Sequence, residues 1–491
     1  MSLLNSLEVA KRALNKQALV LETIAENLAH ADDPHFSRRR VISSSSSAPA
    51  AAGGLLTRQG PLTEGGPAVQ ALVRERDKFV ESRLRGAISE SEEALVAERA
   101  WQSLEALFDE PGGPASFSEL WNNWVNALQD FTGYPDDLGV RQVVLDRSAE
   151  LAAGIRRLAQ GVAQVQVSQE EVIEQEVDRA NALLEEIARL NGAIRQAESG
   201  LGPRGERRLA NGLRDQRDAL LRELAGLVNI TVREDGNASY PGESAGLRVE
   251  IGGTVVVDGE QVLYRVEWQE SSGSQPPRLF LCSTRTSPGH EVNVEWPAGA
   301  LRGRLEMWNT GAELMTHLDR LAKALIDDTS SILTKGVDLY GSPGQPLFVG
   351  TDAGDIRIND AWKDAQGRYD PRRLPAAMPP NDNAVARDLL NWARSGASAG
   401  GVADHPLTVY QGTLIPRLAE GARQAEERQE AAGARRQHWE NLRQSRVGVS
   451  PDEEMVTLLA TERAYQAAAQ LVRSLDEALG TIIDLLGGAG R

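Results

Sequence analysis

The chain has 491 residues, 41% hydrophobic and 25% charged, ordinary for a protein that buries a core and fits about two to four domains at roughly 100–200 residues each. Its 70 acidic residues outnumber 53 basic ones for a formal net charge of −17, which argues against nucleic acid or an anionic membrane surface as partner, because both recruit basic faces. One cysteine, Cys282, excludes an internal disulfide framework and an all-cysteine metal site.

In chain order, the first element is an amphipathic helix. Leu7, Leu14, Leu21 and Leu28 recur every seven residues, with Leu3, Ala10, Gln17 and Ile24 as a second row. Two such rows make a narrow coiled-coil seam. The pattern stops near Ala31, where Asp32-Asp33-Pro34 breaks a helix. Ser43 to Ser47 and the following Ala/Gly run read as a low-complexity linker. Gln70 to Asp109 reads as one long helix, ended by Pro111-Gly112-Gly113-Pro114. Ser116-Phe117 opens another, with Leu120, Trp121, Trp124 and Leu128 on one face, and Asp130 to Asp137 reads as a loop. Leu138 to about Ser199 keeps a helical period with hardly a breaker, the length of a coiled-coil or bundle helix. Gly200 to Gly205 is a loop, and Asn211 to Leu227 is helical again.

The period then changes. Val228 to Trp296 shows short alternating runs with Asp235-Gly236 and Asp258-Gly259 as turn signals, which predicts a small antiparallel β unit. Helix returns from Gly299 to about Lys335. Leu339 to Met378 is rich in Gly, Pro and Asp, with one strand candidate at Ile356 to Ile358. Ala384 to Trp392 predicts a short helix, and Leu407 to Arg446 a long charged one. The last helix opens at Pro451, with Ser450 as N-cap, Glu453 three residues on, and acids at the positive end of its dipole. Leu458, Tyr465, Val472, Leu479 and Leu486 recur every seven, Ala468, Leu475 and Ile482 form the companion row, and Gly487-Gly488 ends it.

The fold class this predicts is mainly α with a smaller β part: a long helical bundle or coiled coil with terminal helices paired, plus an antiparallel β unit. The order is nested, out through helix and β and back, which leaves the termini together. Each leucine contributes roughly 1.5–3 kcal/mol when fully buried. Ordering a residue costs about 1–2 kcal/mol of backbone entropy, so a two-helix pair alone is marginal. The terminal helices either pack on each other and the core, or form an assembly interface with other subunits.

Several stretches resemble one family. Asn27-Leu28, then Asp32-Asp33-Pro34-His35-Phe36-Ser37-Arg38, resembles the amino-terminal pattern of flagellar axial proteins, with His35 where that pattern has glycine. Gly448-Val449-Ser450-Pro451-Asp452-Glu453-Glu454-Met455, Ala464-Tyr465-Gln466-Ala467 and Leu475-Asp476-Glu477-Ala478-Leu479 resemble the carboxyl-terminal signature of rod, hook and hook-associated proteins. Asn211 to Leu224, with Asp215-Gln216-Arg217-Asp218 at its centre, is similar to a motif of the hook-associated protein 1 family, as is Leu301-Arg302-Gly303-Arg304-Leu305. Length and the Asp215–Asp218 segment disfavour the alternatives, hook protein or hook-associated protein 3.

The resemblance implies a structural axial subunit of the bacterial flagellum, joining hook to filament and lying outside the cell. It implies export without a cleaved signal peptide; Met1 to Lys11 indeed lacks a basic region followed by an apolar block. Implied partners are further copies of the chain, hook protein, hook-associated protein 3 and a cytoplasmic export chaperone at the carboxyl-terminal helix, with no nucleic acid and no membrane. The implied division is 1–35 with 450–491 as a terminal coiled coil forming an inner tube, 36–227 with 299–348 and 381–449 as the helical bundle, 228–298 as the β unit, and 349–380 as a reduced outer segment. The assembly interface is expected at Leu7, Leu14, Leu21, Leu28, Leu458, Tyr465, Val472, Leu479 and Leu486. Before assembly the termini are expected to be disordered and to fold on docking.

Other residues carry blander readings. Asp215, Arg217 and Asp218 read either as an inter-helix clamp or as a solvated surface pair worth about 0–1 kcal/mol. Tyr465 and His317 read as structural, the tryptophans as pins between bundle layers, and the sequon Asn237-Ala238-Ser239 as coincidence. No His-Glu-x-x-His, no glycine-rich phosphate loop and no long apolar run occur. No cofactor or metal is expected. The enzyme alternative rests on Asp258, Glu260, Glu267 and Cys282, which lie at no diagnostic spacing.

Overall fold

The computed structural model describes residues 3–46, 65–108, 116–200, 209–234, 247–272, 275–285, 289–377, 383–395 and 405–488. The expected turn at Asp235-Gly236, the sequon at Asn237, the breaker at Pro111 to Pro114 and most of the Gly200–Gly205 loop lie outside these residues. So do Ser47 and the whole of the Ala/Gly run.

The long axis is α4 (Leu138–Ala197), 60 residues and about 90 Å at 1.5 Å per residue. Asp137 starts it, its carboxylate accepting the amides of Gly139 at 2.7 Å and Val140 at 3.2 Å. Two cores form along it. The first gathers α2 (Lys78–Phe108), α3 (Phe117–Gly133), the first half of α4 and the second half of α6 (Ala300–Leu333) around Trp121, Trp124, Phe131, Leu145, Leu318 and Leu325. The second joins the later half of α4, from Ile173 to Ile194, to α5 (Asn211–Leu227) and the β unit. A polar break separates them: Arg304 holds Glu176 through two bonds of 2.7 and 2.9 Å and reaches Gln169 at 3.2 Å.

The β unit has one four-stranded sheet in the order β3 (Ile230–Glu234), β4 (Leu247–Ile251), β5 (Thr254–Asp258), β6 (Gln261–Val262), and one of three strands, β7 (Tyr264–Gln269), β8 (Arg278–Ser283), β9 (Glu291–Val292). All pairings are antiparallel. The β4–β5 hairpin turns on Gly252 and Gly253, both at positive φ, as a two-residue loop requires. Gly299, at φ +119°, admits the return into α6: a Cβ there would sit 2.6 Å from the Leu227 carbonyl.

Four expectations need correction. Gln70 to Arg74 is not helix. It lies in strand β2 (Gly65–Arg74), which pairs antiparallel with β1 (Arg39–Ser46). The serine run Ser43–Ser46 is therefore strand and not linker. Small polar residues hide a strand whose pairing partners lie 19 to 35 residues further on, from Ser46↔Gly65 to Arg39↔Arg74, and bulges at Ile42/Ser43 and Ser44/Ser46 break the alternation. The hairpin packs on α1 (Leu3–Ala29), so it goes with the terminal helix as much as with the bundle. Next, α3 continues to Gly133, which shortens the loop expected at Asp130 to Asp137.

Last, the segment expected as an outer unit shares the first core. Strands β10 (Phe348–Val349) and β11 (Arg357–Ile358) pair, and Ala353, Ile356, Trp362 and Leu374 are buried on the bundle. The Trp362 indole donates to the Pro346 carbonyl at 3.0 Å. A segment this short cannot build its own core, so it caps the bundle end.

The chain returns through α7 (Ala384–Ser395), the short α8 (Pro406–Val409), a π-helical turn at Tyr410–Leu414, and α9 (Ile415–Val447) along α2. The last element, α10 (Pro451–Gly488), pairs with α1. No helix among the described residues is long and apolar enough to cross a membrane.

Candidate assembly interface

The site expected from sequence is the terminal helix pair. The end of α1 meets the start of α10, so the two run antiparallel. Leu7, Leu14, Leu21 and Leu28 are half-buried, while the companion row is deeper: Ala10 and Ile24 are buried, with Thr23 and Asn27 beside them. On α10, Leu458, Tyr465, Val472 and Leu479 are also half-buried. The side chain of Leu486 lies outside the described residues, as does that of Leu3. Among the described residues, not one heptad leucine of the pair is fully sealed within the chain. Ile482, expected on the companion row, is 39% exposed. A straight α-helix drifts about 20° per heptad against a seven-residue repeat, so the row leaves the seam towards the carboxyl end. The flanks of α10 carry further apolar side chains in the open: Val456 is 69% exposed, Leu459 54%, Leu471 52% and Met455 48%.

The pair is rooted by residues from both ends. Asn27 is buried; its amide donates to the Arg39 carbonyl at 3.1 Å and to Glu454 at 3.3 Å, and its oxygen accepts the Arg39 amide at 3.0 Å. Glu454 is equally buried and accepts from Arg38 Nε at 2.7 Å, while Glu453 takes another Arg38 nitrogen at 3.2 Å. The Arg38 amide donates to the Val447 carbonyl at 2.9 Å. Arg443, buried at the end of α9, donates to the Pro34 carbonyl. Phe36 stacks on His30 at 4.9 Å between centroids, and the Arg39 guanidinium covers it at 4.9 Å. A buried charge is tolerated only when paired and hydrogen-bonded. Glu454 meets that condition only while α1, the following loop and α10 are all in place.

The network continues inward to the Asp215-Gln216-Arg217-Asp218 segment. One Arg74 nitrogen donates to Asp215 at 2.8 Å and to Asp218 at 3.1 Å, and Arg76 reaches Asp218 at 3.3 Å and also pairs with Glu234. Arg217 donates to Asn191 at 2.8 Å, and Asn191 donates to the Gly259 carbonyl at 2.7 Å, tying α5 to α4 and the β unit. Arg39 lies 3.9 Å from Asp215 and pairs with Glu26, closing the path back to α1. Asp215, Arg217 and Asp218 are buried, so the solvated-pair reading fails; Gln216 is exposed and outside the network.

Burial works against every charge here. It pushes Arg217 down to about 10 and raises Asp215 despite Arg74. For Asp218 burial is also the largest influence, but four guanidiniums, Arg76, Arg74, Arg217 and Arg222, together outweigh it and hold the carboxyl well below its usual range. The difference between the two aspartates is the number of cations each faces.

Sequence reasoning missed Arg74 and Arg76, hidden by the mistaken helix, and assigned no role to Asn27, Arg38 or Glu454. All three stood in the motifs that carried the resemblance. Elsewhere, Asp258 pairs with Arg248 at 2.9 Å and Glu260 with Arg195 at 3.0 Å, ordinary surface pairs. Among the described residues no group of three or more His, Cys, Asp or Glu side chains is arranged to hold a metal.

Comparison with known proteins fits this architecture. Residues 101–348, half of the chain, match the family described as the flagellar hook-associated protein FlgK helical domain. Residues 443–485, the end of α9 and most of α10, match the flagellar basal body rod FlgEFG protein carboxyl-terminal family. The flagellar hook-associated protein 1 of Bacillus subtilis (strain 168) is 27% identical over 521 aligned positions, covering 99% of each chain. That of Salmonella typhimurium is 24% identical over 345, covering 69% of this chain and 58% of the relative. A solved structure, the flagellar hook junction protein FlgK from Burkholderia pseudomallei, is similar at 22% identity with a TM-score of 0.47, covering 55% of this chain and 46% of that one. The chain belongs to the flagellar hook-associated protein FlgK family, and its role is that of a structural subunit of the bacterial flagellum at the hook–filament junction.

Proposed function

We propose that the chain assembles through its terminal helix pair, with α1 and α10 of neighbouring copies packing side by side into the inner tube of the axial structure. The observation that carries this reading is the incomplete burial of the pair. Its leucine rows are half-exposed, and Met455, Val456, Leu459 and Leu471 point into solvent. Contiguous apolar surface of this kind marks an interaction site. Leu7, Leu14, Leu21, Leu28, Leu458, Tyr465, Val472, Leu479 and Leu486 form the inner seam of this interface, and the flanks of α10 meet the neighbours. Asp215, Arg217 and Asp218 hold the bundle in register behind it.

Partners in this reading are further copies, the hook protein on one side and hook-associated protein 3 on the other. A cytoplasmic chaperone covers the α10 flank before export, because an uncovered apolar flank invites premature association. Export proceeds without a cleaved signal peptide. The role is mechanical and not catalytic. Residues 1–35 with 450–491 form the assembling unit, the bundle and β unit surround it, and residues 349–377 close the bundle's far end.

Deleting residues 458–491 tests this. The truncated chain is expected to be absent from purified flagella and to leave cells without attached filaments. Its bundle should keep its own thermal transition. Normal filament attachment in that strain contradicts the reading.

A further inference from the structure

Among the described residues, neither of the two cores contains a residue of α1, of the β1–β2 hairpin or of α10. Helix α1 packs on α10 and on both strands of the hairpin. What joins this terminal unit to the body of the chain is mainly polar, and much of it falls on one helix. Asn211, Asp215, Asp218 and Arg222 of α5 follow one another at intervals of four, three and four, which puts them on a single face. All four reach the hairpin or the loop that precedes it. Asn211 Nδ2 donates to the Leu72 carbonyl of β2 at 3.0 Å. Asp215 accepts from Arg74 and lies beside Arg39, and these two arginines stand opposite each other across the hairpin. Asp218 accepts from Arg74 and from Arg76 just past the hairpin. Arg222 donates to His35 Nδ1 at 3.1 Å and to Glu81 of α2 at 3.3 Å.

The chemistry of the joint decides how firmly it fixes an angle. Apolar burial is non-directional, so two bodies joined that way can slide. Hydrogen bonds and guanidinium–carboxylate pairs hold only near one geometry. Arg39 touches both sides of the joint. Its backbone exchanges two hydrogen bonds with Asn27 of α1, at 3.0 and 3.1 Å. Its guanidinium pairs with Glu26 of α1 and stands 3.9 Å from Asp215 of α5. A tilt of α1 carries Arg39 with it and takes positive charge away from a buried carboxylate, which is costly.

We propose that this face of α5 is a seat that sets the angle at which the terminal pair leaves the bundle, with Arg39 as the positioning residue and Asp215 as its anchor. The inference rests on the assembly reading above and deepens it. Identical subunits close a regular ring or helix only when each presents its contacts in the same attitude. The seat gives every copy that attitude before a neighbour arrives. Asn211, Arg222 and His35 take part in it by holding the hairpin and the loop after α1 on the same helix face.

The test measures the joint directly. Spin labels are placed at Ala25→Cys on α1 and Gln216→Cys on α5, both exposed positions, in the full chain carrying Cys282→Ser. Pulsed electron paramagnetic resonance then reads the distance between them. The parent should give one narrow distance. Asp215→Asn, which keeps the shape and removes the charge, should add a second, shifted distance. Asn211→Ala, which removes the bond to Leu72, should broaden the first. Trp124→Ala, which weakens the first core, should lower the melting temperature and leave the distance unchanged. In cells, both seat variants should lower the chain retained on purified flagella about fivefold, the factor that a small loss of interaction energy produces. A parent distribution as broad as the variants', or an unchanged distance in both seat variants, overturns the proposal. So does a distance that follows stability in Trp124→Ala, or full retention of both seat variants. The deletion of residues 458–491 leaves the seat whole and keeps the two readings apart. If that deletion abolishes incorporation while the seat variants incorporate normally, the seat alone falls; if the deleted chain still incorporates, the assembly reading falls and the seat's role in it falls too.

Discussion

The aromatic end of the bundle and the terminal helix pair are built on opposite terms. In the first core Trp121, Trp124, Trp362 and Trp392 are buried together, Trp124 and Trp121 within 5.3 Å, and their polar atoms are answered: the Trp124 indole by Ser148 at 2.8 Å, that of Trp392 by Asp328 at 2.9 Å. Among the described residues of the terminal pair no heptad leucine is sealed, and the one well-buried charge, Glu454, sits at its root. The bundle is finished within one chain. The pair has a fixed base and an unfinished shaft, and that contrast is what an assembling subunit needs: a body that keeps its shape and an edge completed by others.

The contrast can be broken from either side. The largest expected effect is the loss of flagellar incorporation on removing residues 458–491, with the bundle left folded. Next comes Trp124→Ala, which should cost about 3–5 kcal/mol of bundle stability in chemical denaturation. Asp218→Ala should cost a similar amount, about 3–5 kcal/mol, because Arg74 and Arg76 stay buried with fewer partners. A change under about 1 kcal/mol would mean that water replaces the carboxylate there. Glu454→Gln should be milder, about 1–3 kcal/mol, since one buried acceptor loses its charge. Its signature should be local: faster amide exchange over the first turns of α10, with the melting of the bundle unchanged.

The smallest effect sharpens the bundle side. His405 is buried, its Nδ1 facing the Leu407 amide at 3.3 Å and its Nε2 the Trp392 carbonyl at 3.1 Å. Burial lowers its pKa, and the bond to Trp392 and the nearby Asp328 only partly oppose this. The folded state therefore binds a proton less readily than the unfolded one, whose histidine titrates near 6.5. Stability from this group is present above that pH and falls as pH drops below it, by at most about 1.4 kcal/mol per pH unit. Melting temperatures between pH 8 and pH 5 should fall on the acid side. His405→Gln should flatten that limb, and an unchanged slope would remove His405 from the account.

Much of this was legible in sequence where period and caps agree. The helix expected over Asn211 to Leu227 is α5 with the same bounds, and the helix expected to open at Ser116-Phe117 does so, with Ser116 accepting the Glu119 amide. The uninterrupted pattern from Leu138 yields α4 because nothing in it breaks a helix. The heptads named the two helices that pair. What remained hidden depends on distant partners. Strand β1 is a serine run that only β2 makes intelligible, and β2 read as helix because Ala71, Leu72 and Val73 suit either state. The depth of Asp215, Arg217 and Asp218 follows from Arg74 and Asn191, well over a hundred and about twenty-five residues away. The heptad count also treated Ile482 as a seam residue, since it ignored the drift of a straight helix.

The central claim is that neighbours complete the terminal pair. Amide hydrogen exchange over residues 455–482, measured in the free chain and again in purified flagella, tests it most directly. The account predicts rapid exchange along α10 beyond its first turns in the free chain and strong protection once assembled, with the α3–α4 core equally protected in both. Equal protection of α10 in the two states would show that the helix is already complete within a single chain, and would contradict the account.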